Sequence, residues 1–176
     1  MPYFIGSGNA EVGYRPADRQ LALWALVAWQ KIIGGGLALE SATESRALIR
    51  LYWAEPNESQ YGEMRPLTVD GRRGAAVYIR PDVNALGPDI ARRAASDALF
   101  RDTIVYLTCL HELGHAFGLS HTADFSDIMY FFGYGGDIVE YFSRYRRQLR
   151  SRSDIARVSG LSAADIKRLR TLYTPR

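Results

Sequence analysis

The chain has 176 residues, 47% of them hydrophobic and 23% charged, enough for one substantial core and too ordinary in charge for wholesale disorder. A net charge of +3 is too small to mark a nucleic-acid binder by itself, and no apolar run reaches the roughly 20 residues of a membrane span. The single cysteine, Cys109, excludes both an intramolecular disulfide and a thiolate metal cluster.

Asp18 is placed to cap a helix running to about Ile33. Leu21, Trp24, Ala25, Ala28 and Ile32 fall at three- and four-residue steps, and Gly34-Gly35-Gly36 stops it. Leu37–Ser41 and Ala47–Trp53 read as strands. In the second, Leu48, Arg50 and Tyr52 alternate with Ile49, Leu51 and Trp53. Pro56 and Asn57 end it, and a polar stretch runs to Arg73 with turns expected around Gly71 and Gly74. Ala75–Arg80 is a further strand, closed by Pro81-Asp82. Pro88–Ala98 holds a short helix, and Asp102 or Thr103 caps a longer one that ends near Gly118. Asp137–Arg150 and Ser162–Tyr173 complete the helices. Ser162 and Asp165 form the two ends of a capping box on the last. The order predicts an α+β or α/β domain with a helical C-terminal part, one domain over 1–176.

The chemistry concentrates in HELGHAFGLSH, His111 to His121, which contains every histidine of the chain. Helical residues four apart nearly align, so His111 and His115 project from one face and pre-organise half of a tetrahedral zinc site. Glycine tolerates a left-handed backbone, so Gly118 can end the helix and return His121 to the metal. Three imidazoles leave one coordination position open, the mark of a catalytic site. Glu112, one step round the helix, is the candidate general base toward a metal-activated water. Cys109 lies about 200° away from His111 and is expected to be a packing residue. The arginines between Arg144 and Arg157 read either as a solvated helix face or as a basic lid over aromatic residues from Phe131 onward.

This pattern resembles the metzincin clan, whose signature is H-E-x-x-H-x-x-G-x-x-H followed by a methionine turn. Met129 lies eight residues past His121 and is followed by Tyr130, which is most similar to the matrixins, the matrix metalloproteinase family. LSAADIKRLRTLY, Leu161 to Tyr173, is similar to the last helix of matrixin catalytic domains. The resemblance implies a twisted, mostly parallel sheet with a backing helix and an active-site helix, forming an upper subdomain of about 1–118. A small helical lower subdomain would follow over about 119–176. It implies that Met129 is a floor beneath the ligands and that Asp165 reaches the methionine turn. Tyr130 is either pocket lining or core. It further implies a zinc endopeptidase with one catalytic Zn2+ and a protein or peptide substrate lying along an edge strand, for which Ala75–Arg80 is the candidate. A catalytically silent zinc-binding or protein-interaction domain on the same fold is the alternative. No histidine remains for a second, structural zinc, and no aspartate spacing resembles a calcium loop, so calcium is not expected. Neither a nucleic-acid nor a membrane partner is expected. The resemblance points to an extracytoplasmic setting, although Met1–Gly13 does not read as a signal peptide.

Overall fold

A computed structural model describes residues 1–34, 38–53 and 61–173. Among these residues five strands, β1 (Pro2–Ile5), β2 (Glu40–Ser41), β3 (Ile49–Trp53), β4 (Gly62–Val69) and β5 (Arg72–Ile79), form one sheet in the order β2-β1-β3-β5-β4. All neighbours run parallel except β4, which is antiparallel to β5. Among the described residues five α-helices accompany it: α1 (Asp18–Ile33), α2 (Pro88–Ser96), α3 (Ala98–Ala116), α4 (Ile138–Arg146) and α5 (Ala163–Tyr173). The class is α+β.

Alternation decides which face of the sheet is buried. Ile49, Leu51 and Trp53 point into the core while Arg50 and Tyr52 stay partly exposed. Against that face lies α3, and α1 packs on α3 through Leu21, Ala22, Ala25, Leu26, Ala28 and Trp29. The Trp29 indole N–H donates to the Leu110 carbonyl at 2.9 Å, which fixes α1 against the helix that carries the histidines.

Several elements differ from the sequence reading. Asp18 opens α1 but does not cap it. Its buried carboxylate accepts the Arg15 N–H at 2.8 Å and pairs with the buried Arg101 guanidinium, which also donates to the Gly13 and Pro81 carbonyls. The cap of α3 is Asp97, whose side chain accepts the Phe100 N–H at 3.0 Å, so this helix starts before Asp102. The polar stretch before Arg73 is β4, and β1 was not expected at all. Asp70 (φ 49°) and Gly71 (φ 74°) both take left-handed conformations between Val69 and Arg72, a two-residue type I′ hairpin turn. This hairpin overturns the choice of Ala75–Arg80 as edge: β5 lies between β3 and β4, and the edge strand is β4. Leu37, Gly35, Gly36, Pro56 and Asn57 lie outside the described residues.

Candidate metal centre

Helix α3 ends in a two-bond cap that aims its last residues. The Gly118 N–H donates to the His115 carbonyl at 2.9 Å and the Leu119 N–H to the Gly114 carbonyl at 3.0 Å, the Schellman pattern. Gly118 has φ 97°, a conformation that a side chain would strain. The chain turns back there, and His121 returns to the helix face that carries His111 and His115.

The three Nε2 atoms converge. His121 Nε2 lies 3.3 Å from His111 Nε2 and 3.1 Å from His115 Nε2. Two nitrogens held about 2.05 Å from a tetrahedral zinc are separated by about 3.3 Å. The three ligand atoms all lie within 4.8 Å of one another, so the group can hold one metal ion.

The opposite ring nitrogens settle the tautomers of two of them. His111 Nδ1 lies 2.7 Å from the Ile128 carbonyl and His115 Nδ1 lies 2.8 Å from the Leu119 carbonyl. A carbonyl only accepts, so each Nδ1 carries the hydrogen and each Nε2 of the neutral ring is left with a lone pair. Burial, and then the charges of His115 and His121, pushes His111 down to about 4 against the backbone hydrogen bond, so this ring is neutral at pH 7. Lone pairs aimed at one point fit a cation better than they fit one another.

Glu112 is buried beside this group. It faces Gly62 at the start of β4, where an added Cβ would lie 2.7 Å from both Cγ and Oε1 of Glu112. The absence of a side chain at 62 thus makes the room the carboxylate occupies. Burial, and then the Glu63 charge, pushes the Glu112 carboxyl up to about 8. A divalent cation close by acts in the opposite direction and favours the carboxylate.

Met129 is fully buried. A Cβ on Gly114 would lie 2.4 Å from its Sδ and 3.1 Å from the Trp29 ring, so a glycine between the two ligand-bearing turns lets the thioether in. The turn around Met129 is held from below. Asp165 accepts the Ile128 N–H at 2.8 Å and the Ser162 N–H at 3.0 Å, while the Ser162 hydroxyl accepts the Asp165 N–H, closing the capping box of α5. Arg168 bridges Asp165 and the buried Asp127. Asp127 also accepts from the Thr122 and Ser162 hydroxyls. Asp127, Thr122 and Arg168 carry no motif of their own, and nothing in the sequence singled them out.

The cleft over the histidines has a volume of about 450 Å³. Glu63 and Met64 of β4 border it on one side, and Tyr130, Phe131, Phe132, Tyr141 and Phe142 on the other. Tyr130 borders the cleft and is buried, donates to the Gly135 carbonyl at 2.8 Å and packs on Phe125 and Tyr141. Cys109 is buried. Among the described residues no helix is long and apolar enough to cross a membrane.

A model of the matrixin peptidase family, Peptidase_M10, matches residues 14–136. No curated protein matches the chain. The match spans α1, the sheet from β2 onward, the three histidines and Met129, and leaves α4 and α5 outside it. The chain belongs to the matrixin family, a family of zinc metallopeptidases that act on proteins or peptides.

Proposed function

We propose that this chain is a single-domain zinc endopeptidase in which His111, His115 and His121 hold the metal and Glu112 is the general base. The observation that carries the reading is the convergence of three Nε2 atoms, two of them fixed as lone pairs by backbone carbonyls on the far side of their rings. Zinc bound there would acidify a water molecule and polarise a peptide carbonyl.

The chain's own groups supply the rest. Glu112, held between α3 and the bare backbone of Gly62, receives a proton from the attacking water and passes it to the departing amine. It is largely buried yet borders the cleft, so water reaches it only from that side. A silent binding module has no use for a carboxylate confined in that position.

The edge strand offers the means to hold an extended peptide. Tyr61 O accepts from Arg80 N at 2.9 Å, and antiparallel pairing repeats every second residue. Gly62, Met64, Pro66 and Thr68 therefore turn their backbone groups outward. Pro66 has no N–H to offer, so the free ladder nearest the histidines is that of Gly62 and Met64. A substrate adds a strand there by β-augmentation. The apolar side of the cleft, with Leu107, Ile138, Tyr141 and Phe142, takes an apolar substrate side chain.

A quenched-peptide library with and without chelator tests the reading, alongside Glu112→Gln. The wild type should cleave internal bonds, and chelator should abolish the cleavage. Glu112→Gln should retain one zinc per chain and lose about 10²-fold or more in turnover. Wild-type turnover in that variant would remove Glu112 from the mechanism.

A further inference from the structure

The third histidine is held differently from the other two. His111 and His115 each donate Nδ1–H to a backbone carbonyl, whereas His121 Nδ1 has no hydrogen-bond partner among the described residues. What touches the His121 ring instead is Phe131. The two rings stack with centroids 4.8 Å apart and an interplanar angle of 26°, within the range of favourable aromatic pairs.

The backbone sets this stack up. Thr122 N donates to the Met129 carbonyl at 2.8 Å, and Phe131 N donates to the Thr122 carbonyl at 3.1 Å. These two bonds form a short parallel bridge, Thr122 with Tyr130. In a parallel bridge His121 stands beside Met129, and Phe131 lies diagonally across on the same face, within reach of the His121 ring. Phe131 remains 44% exposed, so burial of its own surface does not explain its position.

Gly133 completes the arrangement. A Cβ there would lie 2.1 Å from Phe131 Cε1 and 2.5 Å from its Cζ. Gly133 has no positive φ, so its backbone accepts any residue. The space is what requires glycine: a methyl group at 133 occupies the volume that the Phe131 ring needs in order to lie over His121.

We infer that Phe131, seated by Gly133, is a positioning residue for the metal ligand His121, doing by ring stacking what carbonyls do for His111 and His115. The inference rests on the zinc reading of the site. Ring orientation set by outer partners is a general determinant of metal affinity. An imidazole whose electrons are drawn toward a cation also gains from the electron-rich face of a phenyl ring.

Zinc affinity of the full chain, measured by competition with a chromophoric chelator, tests this. Phe131→Ala and Gly133→Ala should each weaken zinc binding between about twofold and tenfold, the worth of one aromatic pair. Phe131→Tyr should restore wild-type affinity, and Phe131→Leu, which keeps apolar cover without a ring face, should not. In the Phe131→Ala background, Gly133→Ala should have no further effect, since no ring is left to displace. The absorption spectrum of the cobalt-loaded chain should change in the two alanine variants and not in Phe131→Tyr. Equal affinities across the series, in a wild type that binds one zinc, would overturn the role of Phe131 alone. A wild type that binds no zinc would overturn the site reading, and this inference with it.

Discussion

Residues 111–130 and residues 131–160 border the same cleft, but different forces hold them. In the first stretch directional bonds fix His111, His115 and the turn at Ile128, Gly114 lets the Met129 side chain approach closely, and Gly118 lets the backbone turn. In the second, aromatic rings lean on one another from Phe131 through Phe132, Tyr134, Tyr141 and Phe142. The arginines there act as clamps. Arg144 donates to the Phe125 carbonyl at 2.7 Å and lies over the Phe125 and Tyr141 rings. Arg146 reaches Asp97, and Arg152 reaches Asp102 while covering Trp24. Ligand placement calls for directional bonds with one solution. A pocket wall needs only a filled shape, which ring contacts provide with more freedom.

The comparison breaks most readily at Asp165. This carboxylate is fully buried and joins the turn before Met129 to the start of α5. Asp165→Ala leaves the Ile128 and Ser162 N–H groups unpaired and removes one of the two carboxylates that Arg168 bridges. The expected loss is about 3 kcal/mol in urea denaturation. A loss under about 0.5 kcal/mol would mean that the turn is held by its aromatic neighbours, as the wall is.

Gly114→Ala is the next test. The new methyl would meet Met129 Sδ at 2.4 Å and the Trp29 ring at 3.1 Å, both of them buried. Overpacking of this kind costs about 2 kcal/mol. Calorimetry should show a lowered Tm, and Met129→Ala combined with Gly114→Ala should recover part of it. Additive losses in the double variant would show that the thioether is not what the methyl meets.

The first stretch was largely legible in the sequence, and the reason is locality. Four residues make nearly one helical turn, and a glycine three residues past His115 permits one sharp bend, so the approach of His111, His115 and His121 follows from short-range geometry. What escaped was tertiary. Gly62 carries no local signal of its role, which shows only where β4 passes Glu112. β4 itself was hidden because an edge strand shows only partial alternation and Pro66 argues against a strand, a penalty that lapses where the missing N–H faces outward. The Asp70-Gly71 dipeptide was the available signal for that hairpin. The start of α3 was placed too late because Asp102 looks as good a cap as Asp97, and the Arg101 pairing with Asp18, which lies inside the true helix, spans a separation no local pattern reports. The stack of Phe131 on His121 depends on the Thr122–Tyr130 bridge and was equally invisible.

Two adjacent arginines of the wall sharpen the comparison by the smallest effects. Arg146 Nε donates at 2.8 Å to Asp97, the cap of α3, whereas Arg147 pairs with Glu140 in open solvent. Burial acts to raise the Asp97 carboxyl, but the Arg146 hydrogen bond and the Phe100 N–H outweigh it and leave it lowered. A lowered carboxylate adds stability above its unfolded value of 3.8 and loses it as pH falls through the folded value. Arg146→Ala should therefore cost about 1 kcal/mol at pH 7 after solvent screening, and its gap from wild type should narrow only below 3.8. Arg147→Ala should leave the denaturation midpoint unchanged. If the two variants behave alike, the arginines are a solvated face, and the wall is held by its rings alone.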